Sequence, residues 1–217
     1  MSHINLNELD LTKLRLAKSG KMVKLVYDKE PLEIVTGKLY TPFGVKVNPS
    51  SYSQWNTCNI DCSLNQSNSE ISVAYRNSLE ALDARITELL QEQGETLFNL
   101  NGQFDFDDIN SFYSPVLREN KTYPKLMKIS LPRDSKGNFE FVIFNENKEK
   151  VQVTDNNITN VLCKGKIFKS IIECNKVWYY NGRFGTTWHL KQLRFVENEN
   201  ATPKTYNKIY ETNMLLD

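Results

Sequence analysis

The Asn181-Gly182 pair constrains the fold of this chain more than any other part of the sequence. Asn-Gly favours a type I′ turn, in which both central residues need a positive φ, and it predicts a β-hairpin when β-forming runs flank it. Lys176–Tyr180 before it is aromatic and β-branched, and Phe184–Val196 after it is long and mixed. We therefore predict one long hairpin within Val161–Glu197.

The first strand of that hairpin is aromatic on both faces. Alternation places Trp178 and Tyr180 on one face and Val177 and Tyr179 on the other, where they can pack inward. Such a strand predicts that one face meets something other than the core. The alternative is a core hairpin with solvated lysines outside, because aromatic residues in strands are usually buried.

Positive charge is concentrated in the same stretch. Between Val161 and Val196 there are seven cations and one acid, Glu173, whereas the whole chain has a formal net charge of +1. Bases stack on aromatic rings, and phosphates pair with lysine and arginine. A sheet that carries both residue types is therefore suited to sequence-tolerant binding of single-stranded nucleic acid.

The candidate nucleic-acid-binding residues follow from this pattern. The candidates for phosphate contacts are Lys164, Lys166, Lys176, Arg183, Lys191 and Arg194, and the candidates for stacking are Trp178, Tyr180, Phe184 and Trp188. Tyr52 and Trp55 are further stacking candidates, in or just past the polar loop that begins at Asn48-Pro49. Some of these rings must build the core, so not all of them can face a nucleic acid.

Length and composition bound the class of protein. A chain of 217 residues with 24% charged and 40% apolar residues can bury one good core and is not disordered. No apolar run approaches the roughly 18 residues that span a bilayer. The N-terminal segment lacks the apolar stretch of a secretory signal, so we expect an intracellular protein with no membrane partner.

The four cysteines do not make a convincing metal site. Cys58-x₃-Cys62 would need a second tight pair or histidines, but ten residues separate Cys163 from Cys174. From Thr57 onward, apolar and polar residues alternate, which predicts a strand with buried, reduced thiols. The acidic run Asp105-x-Asp107-Asp108 lacks the glycine and glutamate of an EF-hand. We expect no metal and no cofactor.

One strong amphipathic helix is predicted over Ile71–Gln93. Its apolar residues recur every three or four positions from Tyr75 to Leu89, and Gly94 follows as the expected C-cap. We interpret this helix as scaffold or partner-facing. An assembly protein that associates through it, with charged substitutions at Leu82 or Ile86 breaking the contact, is one alternative function.

The rest of the chain is mostly strand-like. Leu9–Leu25 is basic and predicts a solvated arm or extra phosphate contacts, and Met22–Tyr27 predicts a strand. Tyr123–Leu131 and Phe139–Phe144 are predicted to pair as a hairpin. Alternating βα units are absent. We therefore predict a mainly β (α+β) fold, an OB-like antiparallel barrel with one long helix in an insertion.

The predicted organisation is a single domain over residues 1–217. A helical and acidic insertion is expected at about 65–120, and a flexible tail at about 198–217.

The hairpin strands resemble a known family. Lys176–Val196 resembles the C-terminal part of the OB-fold single-stranded DNA-binding proteins of nucleocytoplasmic large DNA viruses, which look like the phage replication type. The residues that carry this resemblance are Val177-Trp178, Asn181-Gly182, Phe184-Gly185, Thr187-Trp188 and Lys191 to Phe195, with Tyr123 to Lys128 and Leu131-Pro132 as a central strand.

The resemblance implies a function and a setting. It implies coating of single-stranded DNA during viral replication, recombination and repair, in a cytoplasmic viral factory or the host nucleus. It also implies dimers and contacts with replication proteins. Phage-type members end in a strongly acidic tail closed by an aromatic residue, whereas this chain ends in Leu215-Leu216-Asp217. That difference places tail-mediated recruitment in question.

No residue pattern predicts an enzyme. His3 and His189 are the only histidines, and the sequence contains none of the nucleophile-elbow, P-loop or zinc-hydrolase motifs. An RNA-binding OB module is the other alternative function.

Overall fold

The computed structural model describes residues 3–51, 53–64, 70–100, 102, 108–119 and 124–196. Within them the chain is mainly β-sheet with one long helix, which confirms the predicted fold class. The strands are β1 Ile4–Asn5, β2 Leu14–Ser19, β3 Met22–Tyr27, β4 Glu30–Pro31, β5 Glu33–Val35, β6 Leu39–Tyr40, β7 Val45–Asn48, β8 Thr57–Leu64, β9 Tyr113–Ser114, β10 Leu117–Arg118, β11 Leu126–Leu131, β12 Val142–Phe144, β13 Lys150–Val151, β14 Ile167–Tyr180 and β15 Arg183–Phe195. The helices are α1 Glu70–Phe98, α2 Ile109–Phe112 and α3 Ile158–Val161, and two 3₁₀ turns occupy Leu6–Glu8 and Leu11–Lys13.

Five strands close into a barrel. β14 pairs with β6, β6 with β8, β8 with β11, β11 with β15, and β15 returns to β14. All of these pairings are antiparallel except β11 with β15, which is parallel. Closure pairs both sides of each barrel strand, and the strands then alternate between a core face and an outer face.

The long hairpin of β14 and β15 forms as predicted. Asn181 and Gly182 have φ values of 47° and 72°, and Tyr180 pairs with Arg183 across the two-residue turn. Between Cys174 and Lys176 the register shifts at a β-bulge, so Asn175 has no partner on β15. The turn is therefore the local determinant of the barrel's longest pairing.

Helix α1 is longer than predicted. Gly94 lies inside the helix, so its assignment as C-cap was wrong, and Asn99 with a φ of 56° ends the helix instead. The amide of Leu100 donates to the Glu95 carbonyl at 3.0 Å and that of Asn99 to Thr96 at 3.4 Å, which is a Schellman arrangement. Leu97 and Phe98 pack on the core, and this contact extends the helix by another turn.

The apolar face of α1 lies in the protein's own core. Tyr75, Leu79, Leu82, Ile86 and Leu89 are all at least 96% buried, as the helical spacing predicts. Charged substitutions at Leu82 or Ile86 would therefore disrupt the core of the monomer. The assembly test proposed from the sequence cannot separate assembly from unfolding at these positions.

Asp83 connects α1 to the hairpin. Its carboxylate accepts a hydrogen bond of 2.7 Å from the Tyr113 hydroxyl and one of 3.0 Å from the Val116 amide. Tyr113 begins β9, which pairs in parallel with β15 at Phe184 and Gly185. Burial raises the pKa of Asp83 to about 6, although the two hydrogen bonds oppose the shift. A buried carboxylate thus holds β9 against the hairpin.

Two other pairings differ from the sequence predictions. β12 pairs with β13 and, in parallel, with β15, whereas a hairpin with β11 was predicted. The return after β11 is limited to an isolated bridge between Arg133 and Phe139. The basic N-terminal segment forms the β2–β3 hairpin, and β3 has the predicted bounds.

The buried, reduced thiols predicted for the strand from Thr57 onward are confirmed at Cys58 and Cys62. Cys58, Cys62 and Cys174 are free and buried, whereas Cys163 is only half-buried. Burial raises the pKa of the Cys62 and Cys174 thiols well above their ordinary range.

Some predictions fall on residues that the structure does not describe. They concern Tyr52, Asp105, Asp107 and the tail at about 198–217. In the described part of the chain, no helix combines the length and the apolar character needed to cross a membrane.

Candidate nucleic-acid interface

A groove crosses the outer face of the barrel over β8, β11 and β15. It consists of two adjoining depressions of about 450 Å³ and about 270 Å³, which share Lys128 and Ser130 of β11. Trp55 lines the first depression and Trp178 the second. We call this feature the β11 groove.

The floor of the β11 groove is polar because of strand alternation. Met127, Ile129 and Leu131 point into the core, so Lys128 and Ser130 point outward. Ser130 pairs with Asn59 of β8 on one side and with His189 of β15 on the other. Hydrogen-bonding side chains from three strands thus lie in one row beneath the groove.

Trp178 forms one end of the groove. It is half-buried, and its cross-strand partner is Gly185. A methyl group at Gly185 would lie 2.9 Å from two ring carbons of Trp178 and nearer still to a third, so the indole rests directly against the backbone there. Arg118 of β10 lines the same depression and is exposed.

Trp55 forms the other end of the groove. Its side chain is 36% exposed and lies on the turn that follows β11, where a methyl group at Gly137 would come within 2.7 Å of three ring carbons. Gly137 also has a φ of 88°, so both sterics and backbone favour glycine at this position. Trp55 and Trp178 therefore each pack directly on a glycine.

Arg133 ties the Trp55 loop to that turn. Its guanidinium donates to the Asn56 carbonyl at 3.1 Å and to the Gly137 carbonyl at 2.7 Å, and it also binds Asp155. It lies 4.0 Å from the Phe139 ring centroid. These contacts occupy Arg133 within the protein, so we interpret it as a positioning residue beneath Trp55.

Lysines surround the middle of the groove. Burial lowers the pKa of His189, and Lys176, Lys191 and Lys24 lower it further, while Glu173 opposes them. The pairing of Val177 with Val23 places Lys24 beside Lys176 on the outer face, because successive residues alternate on both strands. His189 is therefore a neutral ring at neutral pH in cationic surroundings.

The predicted facing of the first hairpin strand is confirmed. Val177 is 2% exposed, and Tyr179 packs against Phe98 and Phe184, whereas Tyr180 is 71% exposed. Tyr180 and its partner Arg183 lie at the hairpin tip, beyond the residues that line the groove.

Two stacking candidates were wrong. Phe184 is fully buried, 4.7 Å from the ring of Tyr179, and Trp188 is 2% exposed with its indole donating to the Thr186 hydroxyl at 3.0 Å. Neither ring can receive a base. The two-residue turn already implies this result for Phe184, since its register sets that residue opposite the inward-facing Tyr179.

The predicted phosphate-binding cations do not form one cluster. Lys164 and Lys166 lie at the base of the hairpin, whereas Lys176 and Arg183 lie near its tip, and at about 3.3 Å per residue the 14 residues of β14 extend over about 45 Å. Lys191 binds Glu173 at 3.1 Å, and Arg194 is half-buried. Lys166 lies 5.0 Å from the Phe195 ring centroid. Of these six cations, Lys176 and Lys191 lie near His189 of the groove, and Glu173 engages Lys191.

The sequence analysis missed several groove residues. Lys128, Ser130, Asn59 and Arg118 were not among the candidates, although alternation along β11 sets Lys128 on the side opposite Met127 and Ile129. A lysine on the outer side of a predicted strand was the available signal.

Comparisons with known proteins give structural similarity only. No protein-family model matches the sequence, and no curated protein matches it. One similar structure is the single-stranded DNA-binding protein from bacteriophage Enc34 in complex with ssDNA, with 12% identity, a TM-score of 0.47, and coverage of 86% of this chain and 97% of that one. Another is gp2.5, a single-stranded DNA-binding protein encoded by bacteriophage T7, with 11% identity, a TM-score of 0.46, and coverage of 86% and 99%.

The seat of Trp178 can be tested at Gly185. Gly185→Ala is expected to push the indole off the sheet and to shift tryptophan emission, with an overpacking cost of about 1–3 kcal/mol. Gly37→Ala is the matched control, because its methyl group would meet Tyr75 at an ordinary 3.6 Å. Emission that stays at the wild-type value in Gly185→Ala would show that the position of the ring does not depend on this contact.

Proposed function

We propose that this protein binds single-stranded DNA without sequence preference and protects it during DNA replication, recombination or repair. The observation that supports the proposal is the β11 groove, which has a tryptophan at each end and a polar, lysine-bordered floor. Aromatic platforms joined by a cationic track are the features that sequence-tolerant single-strand binders use.

Each part of the groove has a role in this proposal. Trp178 and Trp55 stack on bases, since every base offers a π-face. Lys128, Lys176 and Lys24 bind phosphates between and beside them. Ser130 and His189 offer hydrogen bonds to whichever base or sugar lies above, whereas Asn59, which also lines the groove, is only 7% exposed. None of these contacts selects one base over another.

The hairpin-tip residues are part of the same proposal. Tyr180 is exposed and Arg183 is beside it, so a strand that continues past Trp178 reaches both. Lys164, Lys166, Lys191 and Arg194, which lie away from the groove or are engaged within the protein, would at most contact a longer strand that wraps the barrel.

Salt dependence is the first test. Fluorescence anisotropy with labelled oligo-dT is expected to show log K falling with log [salt] at a slope of roughly −0.7 per phosphate contacted, or about −2 for three lysines. Lys128→Gln is expected to make that slope shallower by about 0.7. Lys148→Gln, at an exposed turn away from the groove, is the matched control.

Two outcomes would contradict the proposal. One is binding that does not change between low and high salt. The other is equal affinity for duplex DNA, because a groove that uses base faces requires unstacked bases. Tighter binding of a matched oligo-U than of oligo-dT would instead favour RNA as the ligand.

The setting of this function is also proposed. We propose a viral protein of the nucleocytoplasmic large DNA virus type that acts in the host cytoplasm or nucleus. It would form dimers and contact replication proteins. This part of the proposal rests on the sequence resemblance alone.

A further inference from the structure

We propose that contact with both tryptophans of the β11 groove requires a strand of about six nucleotides, because the two rings lie at opposite ends and engage bases about five apart. This inference rests on the proposed function. It adds the strand length at which the second ring is engaged and divides the site into two separate anchors.

The strand register places the two rings far apart. One row of successive cross-strand partners crosses β8, β11, β15 and β14. It consists of Asn59, Ser130, His189 and Glu173. Gly185, the partner of Trp178, precedes His189 by four residues on a strand parallel to β11. Trp178 therefore lies toward the start of β11.

Trp55 lies toward the other end. It lies two residues before the start of β8, and β8 pairs antiparallel with β11, so Trp55 lies past the end of β11. Its contact with Gly137, in the turn that follows β11, places it there independently. The two indoles thus sit on opposite sides of the polar row.

Strand dimensions give the span. The four residues from Gly185 to His189 cover about 13 Å along β15, and the four from Trp55 to Asn59, of which the first two precede β8, cover at most about 13 Å more. The three strand spacings from β8 to β14 add about 14 Å across the strands. The diagonal is about 25–30 Å on a curved sheet. An extended single strand advances roughly 6 Å per nucleotide, about twice the 3.4 Å of a duplex strand. The bases that reach both rings are therefore about five apart.

The two ends differ in charge. Trp178 has Lys176, Lys24 and Arg118 near it. At the Trp55 end, Asp155 and two carbonyls engage Arg133, and the exposed Lys136 lies beside the carboxylate of Asp134. A strand too short to span the groove should therefore occupy the Trp178 end. Removal of Trp55 should matter only for longer strands.

A length series tests this directly. The affinities of wild type and Trp55→Ala are measured for dT3 to dT8 at low salt, with dT8 as the limit so that one strand holds one copy of the protein. The ratio of the two affinities is expected to stay near 1 for dT3 and dT4 and to rise to about 5 or more by dT8. Trp55→Phe, which keeps a ring, should restore most of the affinity for dT8.

Intrinsic fluorescence adds a second measurement. The chain has three tryptophans, and Trp188 is buried and serves as an internal reference for folding. In Trp55→Phe, dT4 should already quench Trp178. In Trp178→Phe, quenching of Trp55 should require about six nucleotides.

The outcomes are distinguishable. An affinity ratio that is equal at all lengths would overturn the two-anchor inference while leaving DNA binding intact. Failure of the wild type to bind even dT8 would overturn the proposed function, and this inference with it.

Discussion

Trp178→Ala is expected to weaken the binding of oligo-dT by about 5- to 150-fold, since base–aromatic stacking contributes about 1–3 kcal/mol per base. Trp178 is the groove aromatic with the most cations near it, so its base is held by stacking and by phosphate contacts on the same nucleotides. The measurement is a titration by anisotropy at one fixed low salt concentration, because the phosphate contribution varies with salt.

Trp178→Phe is the control for this substitution. It keeps an aromatic face above Gly185 and should retain most of the affinity. Urea unfolding of both variants separates lost stacking from lost folding, since Trp178 is half-buried on the outer face and not in the core. Equal binding by wild type and the alanine variant, with both folded, would remove Trp178 from the site.

Asp83→Ala is expected to lower the free energy of unfolding by about 2–4 kcal/mol, because it leaves the Tyr113 hydroxyl and the Val116 amide buried without their acceptor. The substitution should also loosen β9, whose pairing with β15 lies next to the seat of Trp178. Asp83→Asn is the matched control. It keeps a carbonyl oxygen as acceptor and should remain within about 1 kcal/mol of wild type at neutral pH.

The pH dependence of stability has a definite sign at this residue. Burial raises the pKa of Asp83 to about 6 from an ordinary 3.8, so the folded protein holds this proton more tightly than the unfolded chain does. The contribution of Asp83 to the free energy of unfolding is fully present below pH 3.8 and is lost as the pH rises through 6.

A comparison of two proteins isolates this contribution. The difference in free energy of unfolding between wild type and Asp83→Asn should be larger at pH 4.5 than at pH 7.5, by about 2 kcal/mol. The other titrating groups are common to both proteins and cancel in the difference. A difference that does not change with pH would show that Asp83 has the same pKa in the folded and unfolded chain, and a change in the opposite direction would show that folding lowers this pKa.

Concentration of charge along the chain was a poor guide to position in space. Seven cations lie between Val161 and Val196, but a strand advances about 3.3 Å per residue, so cations distant on β14 and β15 cannot share a site. Lys191 illustrates a second effect. Its cross-strand neighbour Glu173 engages it, and no spacing along one strand shows such a pairing.

Local chemistry alone determined several parts of this protein. The Asn181-Gly182 turn, the outward face of Trp178 and the buried face of α1 follow from φ preferences and from side-chain periods of 2 and 3.6, which involve only nearby residues. Barrel closure was a tertiary outcome. It pairs β8 with β11 and β11 with the hairpin, from distant parts of the chain, and this long-range register depends on how the whole core packs. Only that pairing brings Trp55, Lys128 and Trp178 onto one surface, and so the groove could not be located from the sequence.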